Sequence, residues 1–234
     1  MGAAVVLLTD TTHSGDRGVQ SNSSAALAAS VRSDNCGNCG KRNGWPTISL
    51  ATMKIRPATD ADCDAVWNIF HKVVAAGDTY ALDPNISRED ALAYWFASGT
   101  RTYVAGGDTA GDSVAIPGKL TAFPTITRAR QLLGTYILRA NQSGGGSHVA
   151  NAGFMVSASD RGLGIGRAMA EHYLSEARRL GFRAMQFNYV IATNTAAIRL
   201  WQDLGFKTVG TLSDAFRHPE KGYVDVYVMY RSLL

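Results

Sequence analysis

The chain has 234 residues, 46% of them hydrophobic and 18% charged, with a formal net charge of +4. That is enough apolar material for one full core, yet no apolar stretch approaches the ~18 to 20 residues of a membrane span. The basic excess is scattered, with no basic run longer than two residues, which points to a generally basic surface rather than a nucleic-acid groove.

Residues 1–52 are rich in Ser, Gly, Asn and Ala, contain no Glu and show no sustained period. Such a stretch buries too little to offset its chain entropy and is expected to be a disordered extension. Ala3 to Leu8 is too short and too poorly flanked for a secretory signal, and Gly2 lacks the Ser or Thr of a myristoylation site, so a cytoplasmic protein is expected. Cys36 and Cys39 form half of a zinc knuckle with no second pair, and Cys63 falls in a predicted helix, so no metal is expected. Met53 stands directly before the first strand and is a natural start for the domain. The division is therefore 1–52 as an extension that need not belong to the native chain, and 53–234 as the functional domain.

From Met53 the pattern alternates strands and helices. Lys54 to Pro57 reads as a strand, and Thr59 to Asp62 as a capping box ahead of a helix. That helix carries Val66, Ile69, Phe70, Val73 and Val74 on one face. Ser87 caps a second helix running through Phe96, and Gly99 stops it. Thr102 to Ala105 is a strand, 106–130 a polar insertion, and Leu132 to Leu138 another strand. A triple-glycine turn at Gly144 leads into a strand from Asn151 to Ser157. Ile165, Met169, Tyr173, Ala177 and Leu180 then recur at helical spacing, ending at Gly181. Phe187 to Ala192 is a strand, and Asn194 caps a helix with Ala197, Leu200, Trp201 and Leu204 on one face, closed by Gly205. Lys207 to Leu212 is a strand, a loop containing His218 to Gly222 follows, and Tyr223 to Tyr230 alternates as the last strand.

The stretch between Ser157 and the third helix carries the chemistry. Arg161-Gly162-Leu163-Gly164-Ile165-Gly166-Arg167 places glycines where a strand turns into a helix. The first turn of a helix offers unpaired N–H groups and the positive end of its dipole, and glycines let an anion approach them. The spacing is neither the dinucleotide fingerprint nor the triphosphate loop. Arg-x-x-Gly-x-Gly resembles the acetyl-coenzyme A loop of the GCN5-related N-acetyltransferases (GNAT). Downstream, Asn194, Ala197, Leu200, Gly205 and Phe206 match that family's second motif at the family spacing. Gly77-Asp78-Thr79-Tyr80, Tyr94-Trp95-Phe96, Leu133-Gly134-Thr135-Tyr136 and Asn151-Ala152-Gly153-Phe154 resemble the branch containing the yeast proline-analogue (azetidine-2-carboxylate) N-acetyltransferases.

The resemblance implies an α/β fold with a mixed twisted sheet of six to seven strands and helices on both faces. It also implies two parallel strands that splay to admit pantetheine. Acetyl-CoA is the implied cosubstrate, held by Phe154, Met155 and Val156 of the strand, by Arg161, Gly162, Leu163, Gly164, Ile165, Gly166 and Arg167 of the loop, and by Asn194 and Trp201. Asn151 and Asn188 are the implied catalytic pair, and Asp78, Thr79 and Tyr80 join them around the acceptor amine. Dimerisation is implied by the resemblance alone.

One departure matters. Where the family usually has a tyrosine acid after the Leu of the second motif, this chain has Trp201, whose indole N–H hydrogen-bonds but does not usefully donate a proton. Tyr189, Tyr136, Tyr173 and His148 are possible substitutes, although helical spacing makes Tyr173 a core residue. Asn188 and Tyr189 alternate on their strand, so one of them should face the cleft, and Asn188 is favoured. The expected activity is direct acetyl transfer to the amine of a small amino acid or analogue. A coenzyme A-binding sensor without turnover and a protein or peptide N-terminal acetyltransferase are the alternatives.

Overall fold

A computed structural model of the protein describes residues 53–107 and 132–234. The expected extension at 1–52 and nearly all of the insertion at 106–130 lie outside the described residues, as do Cys36 and Cys39. The elements run β1 (Met53–Pro57), α1 (Cys63–Ala75), α2 (Arg88–Trp95), β2 (Arg101–Gly107), β3 (Leu132–Ala140), β4 (Val149–Val156), α3 (Ile165–Arg179), β5 (Ala184–Ile191), α4 (Thr195–Asp203), β6 (Lys207–His218) and β7 (Gly222–Ser232). The seven strands form one sheet in the order β1-β2-β3-β4-β5-β7-β6. Every neighbouring pair is antiparallel except β4–β5, which is parallel.

Each face of the sheet is covered by two helices, as expected for an α/β layer architecture. On one face α1 and α2 bury Val66, Phe70, Val73 and Trp95 against Ile137 and Met155. On the other, α3 and α4 bury Met169, Tyr173, Leu200 and Trp201 against Tyr136, Phe154 and Phe187. The two layers are attached differently. At the start of the α1 layer Arg56 grips Asp62 through two hydrogen bonds of 2.7 and 2.8 Å, while Asp62 also accepts from the Thr59 N–H and hydroxyl. The Arg56 guanidinium holds the Asp62 carboxyl far below the usual carboxylate range. Trp95 Nε1 donates to Thr135 Oγ1 at 3.0 Å, which in turn donates to the Tyr103 carbonyl at 2.8 Å, and this fixes α2 on β3 and β2. The α3/α4 layer rests on aromatic packing instead, with Trp201 4.4 Å from Phe187 and 5.2 Å from Phe154, centroid to centroid.

Two expectations change. The strand read as Lys207 to Leu212 continues to His218, because the β6–β7 ladder resumes at Phe216 beyond an irregularity at Asp214, whose φ is +53°. His218 is therefore a strand end, its Nδ1 accepting from the Glu220 and Lys221 N–H groups. The alternation assumed for Asn188 and Tyr189 also fails. Phe187 pairs with Met229 and Val190 with Tyr227, so β5 carries one extra residue, a bulge. Phe187 and Val190 both enter the α3/α4 core, and the two residues between them both leave it.

Candidate active site

The parallel strands β4 and β5 pair only at Val149↔Ala184 and Ala150↔Met185, then separate. β4 is meanwhile fully laddered to β3. Asn141 N donates to Val149 O at one end of that register and Ser157 N to Leu133 O at the other, both at 2.8 Å. In an antiparallel ladder, alternate residues turn their backbone groups to the same neighbour. The odd-numbered residues of β4 thus bond β3, and Ala152, Phe154 and Val156 present theirs to the gap left by β5. Met155 is a correction on this ground: its backbone is turned to β3 and its side chain is buried against α1 and α2, so it has no handle on the gap.

Beyond the C-terminal end of β4 the glycine turn leads the chain into α3. Gly162 and Gly164 have φ of +77° and +78°, and Gly164 is the residue from which α3 springs. An L side chain there would be strained, and at Gly164 it would stand over the helix N–H groups. A cavity of about 260 Å³ lies between this turn and α4, lined among others by Val156, Gly162, Gly164, Gly166, Arg167 and Arg199. Arg167 pairs with Asp203 across it at 2.7 Å. Arg199 is a cationic lining residue the sequence reading missed, although its helical spacing from Ala196 and Asp203, which also line the cavity, would have shown it. Leu163 is 44% exposed beside the cavity, and Arg161 is half-buried at the turn.

The positions expected on α4 have separate roles. Asn194 caps the helix, accepting from the Ala197 N–H at 3.2 Å. Trp201 is fully buried in the aromatic core and does not line the cavity, and its indole N–H has no hydrogen-bond partner. A buried donor without a partner is costly, and this one lies on a ring packed against both splayed strands. The loop and the gap-facing backbone groups fit a pantetheine pyrophosphate chain laid from the glycine turn into the gap.

The opposite face of the same gap holds a cluster of neutral amides. Asn151 of β4, 1% exposed, donates through Nδ2 to Asn141 Oδ1 at 3.0 Å. Asn188 of β5 donates to the same oxygen at 2.7 Å and accepts from Gln186 Nε2 at 2.8 Å. Asn141 thus joins the two expected catalytic residues across the gap between the strands. Sequence reasoning missed it, because an Asn after a strand and before a glycine run has the appearance of a turn residue. Asn151 Oδ1 is buried and unsatisfied. Beside it, at the register partner of Asn151, stands Arg139, whose guanidinium lies 5.4 Å from the Tyr94 ring centroid. Burial pushes the Tyr94 hydroxyl up, with Arg139 opposing it.

The remaining expected residues lie elsewhere. The Tyr80 hydroxyl is turned to β4, donating to the Phe154 carbonyl at 2.9 Å, so it buttresses the strand rather than facing an acceptor. A Cβ on Gly153 would stand 3.3 Å from that hydroxyl and 3.4 Å from Trp95. Thr79 is buried and bonds Asp78 at 3.1 Å. Of the tyrosines considered as acids, Tyr136 and Tyr173 are buried on the α3 side, with Tyr136 bonded to His172 Nδ1 at 2.6 Å and its hydroxyl pushed far up by burial. Tyr189 donates to the Ala215 carbonyl of β6, and His148 is exposed. Cys63 is the first residue of α1 and does not line the cavity, and among the described residues no His, Cys, Asp and Glu group could hold a metal. No helix among them is long and apolar enough to cross a membrane.

Comparison with known proteins gives this geometry a context. Residues 115–206 match the model of the acetyltransferase (GNAT) family. The chain is 38% identical over 156 residues to the N-acetyltransferase aca1 of Schizosaccharomyces pombe, an alignment covering 66% of this chain and 72% of that protein. It is 41% identical to a GCN5-related N-acetyltransferase from Kribbella flavida whose structure covers 79% of this chain and 99% of its own, with a TM-score of 0.67. The fold is also that of yncA from Salmonella typhimurium, solved with its cofactor acetyl-CoA, at 22% identity, a TM-score of 0.59, and coverage of 78% and 94%.

Proposed function

This chain belongs to the GNAT family of acetyl-CoA-dependent N-acetyltransferases, and we propose that the amine it acetylates is that of a small amino acid or amino-acid analogue, of the proline-analogue kind. The observation that carries this reading is the amide cluster. Asn141 ties Asn151 to Asn188 across the splay.

Acetyl-CoA, when bound, supplies an activated thioester. The chain's own residues divide the rest of the work. Gly162, Gly164, Gly166 and the N-terminus of α3, with Arg167 and Arg199, receive the pyrophosphate. The gap-facing N–H of Phe154 and the backbone groups of Val156 receive the pantetheine arm, the Phe154 carbonyl being held by the Tyr80 hydroxyl. On the far side Asn151 Oδ1, buried and with a free lone pair, accepts from the N–H of the incoming amine and aims its lone pair at the gap. Asn188 and Asn141 hold that amide in place. Amides do not transfer protons at ordinary pH, so the amine must arrive neutral. That costs about 1.4 kcal/mol at pH 7 for a peptide-like α-amine near pKa 8, and about 4.6 kcal/mol for an alkylamine near 10.4. A site with no general base acts on the neutral fraction alone, so turnover of a free amino acid should rise with pH as its amine deprotonates. A thiolate leaving group near pKa 8.5 needs no dedicated acid, consistent with Trp201 where a tyrosine acid is usual.

The test is thiol release from acetyl-CoA with panels of free amino acids, proline analogues and N-terminal peptides. Turnover with the first two panels supports the reading. Turnover with peptides alone would replace it with a peptide N-terminal acetyltransferase, and coenzyme A binding without turnover would replace it with a sensor.

A further inference from the structure

We infer that Arg139 is the carboxylate anchor of the acceptor site, so that the enzyme selects amines carrying an acid group on the neighbouring carbon. This rests on the small amino-acid reading above and sharpens it. Arg139 and Asn151 are direct register partners on adjacent strands, and both project to the α1/α2 face. Partners bonded in this way have Cα atoms about 5.5 Å apart. Each carries one buried polar atom without a partner, a donor at Arg139 Nη2 and an acceptor at Asn151 Oδ1.

These two atoms have opposite hydrogen-bonding sense and belong to register partners on one face of the sheet. Buried polar groups are almost always paired, so an orphan donor and an orphan acceptor on neighbouring residues describe a ligand that brings the complement of both. The complement is an N–H donor next to an anionic acceptor, which is an α-amino acid. None of the described carboxylates pairs with Arg139. Its guanidinium lies over the Tyr94 ring, which orients it without neutralising it. A guanidinium fork is the side chain best matched to a carboxylate. The amide cluster is uncharged, and Arg139 brings a positive charge to its edge. The same geometry disfavours a peptide N-terminus, whose carbonyl is already an amide and brings no anion to Arg139.

Matched pairs test this: L-azetidine-2-carboxylate, L-proline and L-alanine, each against its own carboxamide, by thiol release at saturating acetyl-CoA. The carboxamide amine is the less basic of each pair, so more of it is neutral at pH 7 and chemistry alone favours it. The wild type is expected to prefer the acid regardless. Arg139→Met is expected to raise KM for the acid at least thirtyfold, the scale of truncating one partner of a desolvated charge pair, and to affect the carboxamide far less. Arg139→Lys should recover part of the loss for the acid. A merely structural role would lower both members of a pair together and change KM for acetyl-CoA, and that result overturns the assignment. Wild-type turnover of acids and carboxamides with equal kcat/KM overturns it too, while leaving the small-amine reading in place. Turnover of peptides alone overturns both.

Discussion

The two sides of the β4–β5 gap are built from different materials. On the α3/α4 side the site is backbone: glycines at positive φ, the N-terminus of α3, and strand groups that β5 has left unpaired. On the α1/α2 side it is side chain, with amides from β4, β5 and the end of β3 converging on Asn141 Oδ1. A backbone site tolerates most substitutions that keep its glycines, because its donors belong to every residue type. A side-chain site has no such reserve, since each member is held by the others. The two halves should therefore fail differently when cut.

The largest effect is expected at the hub. Asn141→Ala leaves the amides of both Asn151 and Asn188 without their common acceptor and should lower kcat/KM for the acceptor by about 100- to 1,000-fold, the cost of losing a positioned polar group at a reaction centre. Titration calorimetry should show acetyl-CoA affinity within about threefold of wild type, because none of the loop's donors is touched.

The next effect is on the layer rather than the site. Asp62→Asn removes the carboxylate that Arg56 and Thr59 share and should cost about 2 kcal/mol at pH 7, measured by urea unfolding. The folded pKa of Asp62 lies below its unfolded value, so its contribution is present above about pH 4 and is lost as pH falls further. The gap between wild type and variant should thus close in acid. Glu176, held to about 2 by Arg179 and by Tyr103, is present in both proteins and leaves a residual acid slope in the variant.

Gly164→Val should weaken acetyl-CoA binding at least tenfold, about 1.4 kcal/mol, by placing a branched side chain over the helix N–H groups at a φ of +78°. The acceptor KM should barely change. The smallest effect is expected at Trp201. Its ring is wholly buried among Phe154, Phe187 and Phe206. Trp201→Phe should lower stability by about 1 to 2 kcal/mol through the cavity it leaves, with kcat/KM changed by no more than about threefold if no proton passes through the indole.

The same division explains what the sequence could and could not disclose. Gly162, Gly164, Asn194 and Gly205 act through local geometry, and local geometry leaves a local signature of turn, cap and period. The helix faces, the strand order along the chain and the glycine turn into α3 were legible for that reason. The bulge at Asn188 and Tyr189 was not, since alternation is assumed until a partner strand shows the extra residue. Asn141 was not legible either, because its meaning comes from residues 10 and 47 positions away. Tyr80 was expected at the acceptor, and nothing in its sequence neighbourhood shows its hydroxyl bonding the Phe154 carbonyl instead.

The central claim is that cofactor and acceptor are gripped by separable halves on opposite sides of one gap. The most direct test measures acetyl-CoA Kd and acceptor KM side by side in Gly164→Val and Asn188→Ala. The account predicts a crossed result. Gly164→Val loses cofactor affinity and keeps acceptor KM, whereas Asn188→Ala keeps cofactor affinity and loses at least about a hundredfold in acceptor kcat/KM. If Asn188→Ala weakened acetyl-CoA binding as much as Gly164→Val does while leaving acceptor kinetics intact, the amide cluster would belong to the cofactor and the division drawn here would be wrong.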